Sequence, residues 1–431
     1  MLDLRNKFKN KTILIYGYGK SGIASFKYLN QNNKVQIFDD NKKIKKTNFV
    51  NLNKVKKIKF DYILISPGID IKRCGLKKYL HKYKKKIITD LDVFYTENLS
   101  NLKIAITGTN GKSTTAELLF KILKFHRKDV RILGNIGKPM LSEKNIKPST
   151  IFVIEASSYQ IDYSQYFKTD HAMILNLSPD HLERHETIQK YTHAKFKLIL
   201  NQKNNSFAYI DAKNKYLDKE IKKFKIKSKL IKVKNTNLKN IKKKITNPYF
   251  KTINNLNNLS FILEFGKKFK LKMNIILKVV NSFKGLNFRQ QIIFNNKKIT
   301  IINDSKSTSL SSSLNLLKSY KNIFWIVGGL AKKGDKFNLP KKYYKNINCY
   351  IFGKDKKLFI KVFNKKLKFQ VFSRLQQIIK KIKIDLKNKS HANILFSPAA
   401  ASFDQFSNFE DRGKYFNNLI KKTNFLGNSI V

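Results

Sequence analysis

The stretch that decides the fold is Lys103–Thr114, which reads KIAITGTNGKST. Its first five residues have the apolar centre Ile104–Ile106 and are typical of a buried strand, and the pattern that follows predicts a helix over Thr115–Phe125. A glycine-containing loop between a strand and a helix presents successive backbone N–H groups, which can surround a phosphate. Lys112 can reach the β and γ phosphates of a nucleotide, and the hydroxyl of Ser113 can bind Mg²⁺.

This phosphate loop is shorter than a standard Walker A motif, because Ile106 stands where that motif has its first glycine. A chance loop between a strand and a helix is the alternative, and the GKST sequence makes it the weaker one. The residues predicted to hold phosphates are Gly108, Thr109, Asn110, Gly111, Lys112, Ser113 and Thr114.

Strands and helices alternate along most of the chain, a pattern typical of parallel sheets covered by helices. The pattern restarts at Lys103 and again near residue 287. We therefore predict an α/β protein of three domains, with bounds at 1–95, 96–286 and 287–431. The outer two are expected to be Rossmann-like, and the central one a phosphate-loop domain with a mainly parallel sheet. Residues 201–250 are rich in lysine and asparagine and are interpreted as a surface part of the middle domain.

The composition excludes several classes of protein. The 431 residues are 42% hydrophobic, too apolar for a disordered chain. The two cysteines, Cys74 and Cys349, match no disulfide framework or zinc ribbon and favour a reducing, cytoplasmic compartment. No run approaches the ~20 apolar residues of a membrane span, so we expect no membrane insertion, and the N-terminus resembles neither a signal nor an anchor.

The net charge of +61 allows two interpretations. One is nucleic-acid binding, but only eight of the 89 basic residues are arginine, the residue on which base recognition depends. The other, which we favour, is compositional drift of exposed positions toward lysine. We therefore expect no nucleic-acid partner, although such a field would attract anionic substrates.

A second glycine cluster, Gly17–Gly22, reads GYGKSG between a predicted strand and helix, and Asp39 ends the next strand. The spacing matches a dinucleotide-binding fingerprint. A tight turn in a Rossmann-like domain that binds no NAD is the alternative. An NAD-dependent oxidoreductase would leave the phosphate loop unexplained.

Two further segments carry polar residues at the ends of predicted strands. Glu155 follows the apolar run Ile151–Ile154, a position where a nucleotide-bound Mg²⁺ finds a carboxylate. His181 and His185 are four residues apart and could form a metal pair on a helix. A zinc site lacks a third ligand at suitable spacing, so one functional and one surface histidine is the favoured interpretation.

Together these segments resemble the Mur ligase superfamily, and the resemblance covers nearly the whole chain. In the third domain it is carried by three motifs: NDSKST at Asn303–Thr308, GGLAKKGDKF at Gly328–Phe337 and SPAAASFDQFSNFEDRG at Ser397–Gly413. The other motifs are GYGKSG, SPGI (Ser66–Ile69), GTNGKST, GNIG (Gly134–Gly137), EASSYQ and NLSPDHLERH. The Ser397–Gly413 segment is the most specific to the member that adds D-glutamate.

The resemblance implies an ATP-dependent ligase of cytoplasmic peptidoglycan synthesis, acting as a monomer. It would add D-glutamate to UDP-N-acetylmuramoyl-L-alanine through an acyl phosphate. Two Mg²⁺ ions are implied, one on Ser113 and Glu155 and one on His181 and a carbamylated Lys195. The residues implied in catalysis are Lys112, His181 and Lys195. Further ATP contacts are implied for Asn255, Asn258, Arg289, Asp304 and Lys306.

The resemblance also implies two substrate sites. The UDP-sugar would contact Asp39, Ser66, Gly68 and Asn135, so the first domain binds UDP and not NAD. D-glutamate would contact Thr308, Lys332, Ser402 and Phe409, with Lys333 as an alternative to Lys332. A sister Mur ligase or a folylpolyglutamate-type synthetase, adding another amino acid, is the nearest rival.

The residues give an independent reason for the carbamate. Tyr191 to Lys195 is one helical turn, so Lys195 can project toward the His181 loop. A protonated lysine would repel Mg²⁺, and this repulsion would lower the pKa of the amine. The neutral amine reacts with CO₂, and the resulting carbamate supplies an anionic oxygen ligand.

Overall fold

The computed structural model describes residues 4–41, 48–234, 238, 241–332, 334–386 and 389–423. The chain divides into two compact units. The first comprises Met1–Lys242 and Asn257–Val279, and the second Lys243–Leu256 and Val280–Val431. Lys333, the alternative ligand for D-glutamate, lies outside the described residues.

The first unit begins with a four-stranded parallel sheet in the order β2-β1-β3-β4. Its inner strands are almost wholly apolar because both faces are covered. The strands are β1 (Thr12–Tyr16), β2 (Lys34–Phe38), β3 (Tyr62–Ile65) and β4 (Ile87–Ile88). The helices are α1 (Lys20–Leu29), α2 (Leu52–Lys57), α3 (Lys77–Lys82) and α4 (Asp90–Glu97).

The first unit also holds a six-stranded sheet in the order β10-β9-β8-β5-β7-β6, in which every pairing is parallel. Its central strand, β5, is buried along its whole length. The strands are β5 (Lys103–Thr107), β6 (Val130–Gly134), β7 (Ile151–Glu155), β8 (His171–Ile174), β9 (Phe207–Asp211) and β10 (Lys229–Val233). The helices are α5 (Lys112–Phe125), α6 (Ser158–Tyr163), α7 (Leu182–His185), α8 (Ile188–Leu200) and α9 (Lys215–Lys223).

Two helices, α10 (Ile253–Lys268) and α11 (Met273–Ser282), have residues in both units. The second unit contains a six-stranded sheet in the order β11-β12-β16-β13-β14-β15, parallel except for the β11–β12 pair. Its strands are β11 (Gln291–Asn295), β12 (Ile299–Asn303), β13 (Ile323–Gly328), β14 (Ile347–Phe352), β15 (Lys368–Val371) and β16 (Ala392–Phe396). Its remaining helices are α12 (Leu310–Ser319), α13 (Lys356–Phe363), α14 (Leu375–Asp385) and α15 (Phe409–Lys422). Short 3₁₀ turns occupy Lys84–Lys86, Met140–Ser142, Lys242–Lys244, Pro248–Lys251 and Lys341–Asn346.

The prediction of an α/β protein with mainly parallel sheets is confirmed. Strand β5 has the predicted bounds, but the next helix begins at Lys112 and not at Thr115. The difference arises because Gly111 adopts a left-handed conformation, with φ of 83°, and itself forms the N-cap. Lys112, Ser113 and Thr114 are therefore in the first helical turn. In the part of the chain that the structure describes, no helix has the length and apolar character needed to span a membrane.

Candidate active site

The phosphate loop joins β5 to α5 and is held in shape by the segment that follows β8. The backbone N–H of Thr109 donates to the carbonyl of Asn176 at 2.9 Å. The Asn176 side chain accepts from the N–H of Asn110 at 2.8 Å and donates to its carbonyl at 2.9 Å. The first N–H groups of a helix have no partner within the helix, so this loop opens onto a favourable place for an anion.

Lys112 curls back over the loop that it follows. Its Nζ donates to the carbonyl of Gly108 at 2.8 Å and to that of Thr109 at 2.9 Å. This geometry places the ammonium group of Lys112 directly at the loop. Asn258 also lies close to this loop. A Cβ added to Gly111 would be only 2.4 Å from the amide oxygen of Asn258.

Two buried oxygen atoms near the loop have no hydrogen-bond partner among the described residues: Oγ of Ser113 and Oε2 of Glu155. Both side chains are buried, at 1% and 4% exposure, and Glu155 ends β7, which pairs directly with β5. Leaving a buried polar atom unpaired costs about 1–3 kcal/mol. A hydroxyl and a carboxylate are hard oxygen ligands, so these two residues fit a Mg²⁺ ion.

Lys195 lies in α8 and is buried beneath the same edge of the sheet, with 2% exposure. Its Nζ donates to Oγ1 of Thr107, the last residue of β5, at 3.2 Å. Burial, with the nearby charge of Lys112 as a second cause, holds the pKa of Lys195 well below its usual range, against the opposing effect of Asp180 and Glu155. Burial therefore favours the neutral form of the amine, which is the form that a carbamylation reaction requires.

The two histidines of the DHLERH segment occupy different environments. His181 adopts a left-handed conformation before α7, is 46% exposed at its side chain, and lies 3.6 Å from Asp180 and 3.5 Å from Glu183. His185 is buried, with Nε2 2.9 Å from the hydroxyl of Ser158, and burial lowers its pKa to about 4. The interpretation of His185 as a surface residue is therefore wrong, because α7 turns it inward against α6.

The residues predicted to contact the UDP-sugar lie at the carboxyl ends of strands, and two of them hold the first glycine loop. The Asp39 carboxylate accepts from the N–H of Tyr18 at 2.7 Å, and the Ser66 hydroxyl donates to the carbonyl of Gly17 at 2.7 Å. Gly68 follows in the loop after β3. Asn135 follows β6; its side chain is exposed, and its backbone N–H donates to the carbonyl of Glu155 at 3.1 Å.

In the second unit, the four segments predicted to hold D-glutamate meet at the carboxyl edge of β12, β16 and β13. Leu330 and Ala401 exchange two backbone hydrogen bonds of 2.9 Å, which brings the Lys332 and Ser402 segments together. The N–H of Leu310 donates to the carboxylate of Asp335, which joins the Thr308 loop to the Lys332 loop. The Ser305 hydroxyl donates to the carbonyl of Phe409 at 2.9 Å.

The remaining residues predicted to contact ATP all belong to the second unit. Asp304 is buried and accepts from the Ser397 hydroxyl at 2.8 Å, and burial raises its pKa to about 7. The Nζ of Lys306 lies 4.0 Å from the centre of the Phe409 ring. Arg289 follows the positive-φ residue Phe288. Asn255 belongs to the second unit, where its amide donates to the carbonyl of Tyr249 at 2.8 Å.

Comparisons with known proteins agree with this geometry. A family model for the Mur ligase middle domain matches residues 106–277. The UDP-N-acetylmuramoylalanine–D-glutamate ligase of Rickettsia prowazekii (strain Madrid E) is 31% identical, over 97% of this chain and 99% of its own length. The chain belongs to the Mur ligase family. The resemblance stated from the motifs is confirmed, and with it the prediction of a ligase.

Other comparisons extend the match. The protein of the same name from Francisella tularensis subsp. novicida is 33% identical to this Mur ligase, covering 84% of the chain and 85% of the relative. The structure of the MurF ligase from Thermotoga maritima in complex with ADP aligns over 98% of this chain and 100% of that one, with a TM-score of 0.57 at 15% identity. At that identity the match shows the fold alone, and it confirms the three-domain Mur ligase architecture.

Several residues that shape the site of this Mur ligase are not indicated by the sequence analysis. Asn176 holds the phosphate loop, Thr107 contacts Lys195, and the hydroxyl of Tyr191 lies 3.2 Å from that of Thr109. Arg184 lies between two loops and stacks on Tyr159. Asn176 and Arg184 lie within the quoted NLSPDHLERH motif, and Tyr191 is one turn from Lys195. Their closeness in sequence to the predicted ligands is the signal from which these residues could have been predicted.

Proposed function

We propose that this Mur ligase uses ATP to join D-glutamate to UDP-N-acetylmuramoyl-L-alanine in the cytoplasm, as a step of peptidoglycan precursor synthesis. The observation that carries the proposal is the 31% identity, over 97% of the chain, with a protein named UDP-N-acetylmuramoylalanine–D-glutamate ligase. The geometry at the carboxyl edges of the second and third sheets supports it. In the first step, an oxygen of the sugar-peptide carboxylate bonds to the γ-phosphorus of ATP while the bond to the bridging oxygen breaks and ADP leaves.

The residues of the phosphate loop stabilise this transfer electrostatically. The Lys112 ammonium and the first N–H groups of α5 surround the oxygen atoms on which negative charge accumulates. Because Lys112 is already held by two carbonyls of the loop, its charge needs little reorganisation when the phosphates bind.

Ser113 and Glu155 would hold one Mg²⁺, and His181 with a carbamylated Lys195 a second; the ions would neutralise charge on the transferring phosphoryl group. The unpaired oxygens of Ser113 and Glu155 support the first assignment. The burial and lowered pKa of Lys195 support the second, since a carbamate forms only from a neutral amine.

The second step takes place at the acyl carbon. The amine of D-glutamate bonds to this carbon, the bond to the phosphate oxygen breaks, and inorganic phosphate leaves as the nitrogen loses a proton. Thr308, Lys332, Ser402 and Phe409 would hold the amino acid, with Lys332 and the hydroxyls pairing its two carboxylates. The joined loops of the second unit support this assignment, because they bring the four segments to one edge of the sheet.

The decisive experiment incubates the full chain with ATP, Mg²⁺, UDP-N-acetylmuramoyl-L-alanine and one amino acid at a time. The amino acids are D-glutamate, L-glutamate, L-alanine, L-lysine and meso-diaminopimelate. Phosphate release and the mass of the product are measured. We expect D-glutamate to be accepted and L-glutamate to react at least ~10²-fold more slowly, because the wrong isomer cannot pair both of its carboxylates with donors at fixed positions.

A matched pair of variants tests the amino-acid pocket. Thr308→Val keeps the side-chain shape but removes the hydroxyl, so the KM for D-glutamate should rise while the KM for ATP stays the same. Thr423→Val makes the same change at the far end of α15, where the hydroxyl donates to the carbonyl of Leu419, and should change neither constant. Preference for another amino acid would assign the chain to a sister ligase instead.

A further inference from the structure

The guanidinium of Arg184 connects two loops of the first unit. Its Nη1 donates to the carbonyl of Pro67 at 2.8 Å, and its Nη2 donates to the carbonyl of Ile69. Both acceptors belong to the loop after β3, whereas Arg184 itself lies in α7, after the β8 segment. The two bonds use the planar fork of an arginine, a geometry that a lysine cannot reproduce.

Each of these loops carries a residue of the candidate site. The loop after β3 contains Ser66 and Gly68, and Ser66 ties it to the first glycine loop through the carbonyl of Gly17. The α7 segment begins at His181, three residues before Arg184. One side chain therefore joins the proposed UDP-sugar loop to the segment with the proposed metal-binding histidine.

An aromatic ring extends the connection from Arg184 to His181. The guanidinium carbon lies 3.7 Å from the centre of the Tyr159 ring. The same ring contacts the His185 ring, stacked at 5.2 Å, and the His181 ring, edge-on at 5.3 Å. A displacement of Arg184 would therefore change the support of His181 as well as that of the loop after β3.

Arg184 is not placed for stability alone. Its Nε is buried and has no hydrogen-bond partner among the described residues, and an unpaired buried donor lowers stability. The neighbouring ion pair between Lys72 and Glu186 links the same two segments, but both of its side chains are about half exposed. Exposed ion pairs of this kind contribute little to stability, so Arg184 is the main connection between the two segments.

We propose that Arg184 is a positioning residue that fixes the UDP-sugar loop relative to His181. The inference rests on the proposed function: a UDP-sugar held by Ser66 and Gly68 must bring its carboxylate to the phosphate loop. Arg184 sets the distance between the UDP-sugar loop and His181, because its guanidinium both binds the loop after β3 and packs on the Tyr159 ring that contacts His181. Misplacement of a substrate by about 1 Å can reduce a rate ~10²-fold.

The test compares Arg184→Lys, which keeps the charge and loses the fork, with Glu186→Gln, which breaks only the exposed ion pair. Four quantities are measured for each full-length variant: the melting temperature, the Kd of ADP with Mg²⁺, the Kd of UDP-N-acetylmuramoyl-L-alanine without ATP, and the kcat and KM of ligation. Amide hydrogen exchange over residues 66–71 reports the loop directly.

For Arg184→Lys we expect kcat/KM for the UDP-sugar to fall at least ~10-fold, with faster exchange over residues 66–71. The Kd of ADP and the KM of D-glutamate should stay within about twofold, because the direct contacts of this side chain lie outside the phosphate loop and outside the second unit. Glu186→Gln should match the wild type in every measurement. A merely structural role would instead lower the melting temperature and weaken ADP binding together.

Wild-type kcat/KM in Arg184→Lys would overturn the inference while leaving the proposed function intact. Loss of ADP binding in parallel with loss of activity would also overturn it, since the effect would then be a general loss of structure. A wild-type protein that makes no product would contradict the proposed function. Even then, unchanged exchange over residues 66–71 in Arg184→Lys would overturn the positioning role.

Discussion

Two lysines at one edge of the second sheet have opposite electrostatic roles. Lys112 is charged and is stabilised by the carbonyls of Gly108 and Thr109. Lys195 is buried with the hydroxyl of Thr107 as its hydrogen-bond partner, and burial lowers its pKa. Because the charged forms of the two side chains repel each other, the charge of Lys112 adds to the effect of burial in lowering the pKa of Lys195.

Lys195→Ala should lose most of its ligase activity, because the anionic oxygen of the carbamate is lost with the side chain. Added acetate or formate should restore part of the activity by replacing this oxygen, and wild-type activity should fall in CO₂-depleted buffer. Lys197→Ala is the control, since Lys197 lies on the same helix and donates to the carbonyl of Asp162 at 2.7 Å. Full activity of Lys195→Ala at saturating Mg²⁺ would rule the role out.

The lowered pKa of Lys195 also has a consequence for stability. Protonation of this amine is less favourable in the folded chain than in the unfolded chain, which costs stability below the unfolded pKa. The free energy of unfolding therefore rises as pH increases toward the unfolded pKa. Lys195→Met avoids this cost. In CO₂-depleted buffer, the Lys195→Met variant should therefore be more stable than the wild type at pH ~7. The difference in the free energy of unfolding, measured by urea unfolding, should become smaller in alkaline solution. A wild type that is equally stable across this range would contradict the assignment of a neutral buried amine.

Lys112→Ala should reduce kcat at least ~10²-fold, by analogy with the loss of one preorganised electrostatic contact. The melting temperature should change little, because the side chain lies over the loop and not in the core. Lys121→Ala, on the same helix and in a partly exposed ion pair with Glu117, should behave like the wild type. Near-normal ligation by folded Lys112→Ala would contradict the phosphate-binding role.

At the scale of single elements, the start of α5 is tightly constrained. Its N-cap, Gly111, has φ of 83°, and a Cβ there would lie 2.4 Å from the Asn258 amide oxygen. The first glycine loop offers a contrast, since the N-cap Gly19 of α1 has φ of −82° and nothing within 4 Å of its added Cβ. The two N-cap positions therefore differ in how strictly they require glycine.

Gly111→Ala should destabilise the protein by at least about 1 kcal/mol, because a left-handed alanine is strained and Asn258 must also move. Gly19→Ala should change the free energy of unfolding by less than about 0.5 kcal/mol. Urea unfolding of both variants measures the difference. Equal stabilities would show that the Asn258 contact and the backbone strain are relieved elsewhere.

The elements also show what a sequence can predict. The bounds of β5 follow from the sequence, because a continuous apolar run that leads into a glycine loop is typical of a buried parallel strand. The start of α5 is predicted three residues late, since apolar periodicity cannot report a glycine N-cap that starts a helix with polar residues. Motif spacing is enough to select Lys112, Glu155 and Lys195 as candidate site residues. It cannot predict the contacts of Arg184 or the burial of His185, because both depend on residues that are distant in the sequence.

At the scale of the whole molecule, the charge is the feature that the fold does not explain. The chain carries 89 basic and 28 acidic residues, and its proposed substrates are all anions. Such a protein should concentrate anionic ligands around itself, and salt should weaken this effect. The Debye length falls from ~30 Å at 0.01 M salt to ~3 Å at 1 M.

We expect the KM values of ATP and the UDP-sugar to rise roughly tenfold over this range of salt. The KM of D-glutamate should rise less, because its net charge is smaller. The kcat should change little, because the long-range field acts on the approach of a substrate and not on a substrate already bound. A neutral sugar at the same osmotic strength serves as the control and should leave all the constants unchanged. This control separates the screening of charges by salt from the effect of lowered water activity. Equal salt dependence for the three substrates would point to a change in the protein itself, and salt-independent KM values would mean that the excess lysine plays no part in substrate capture.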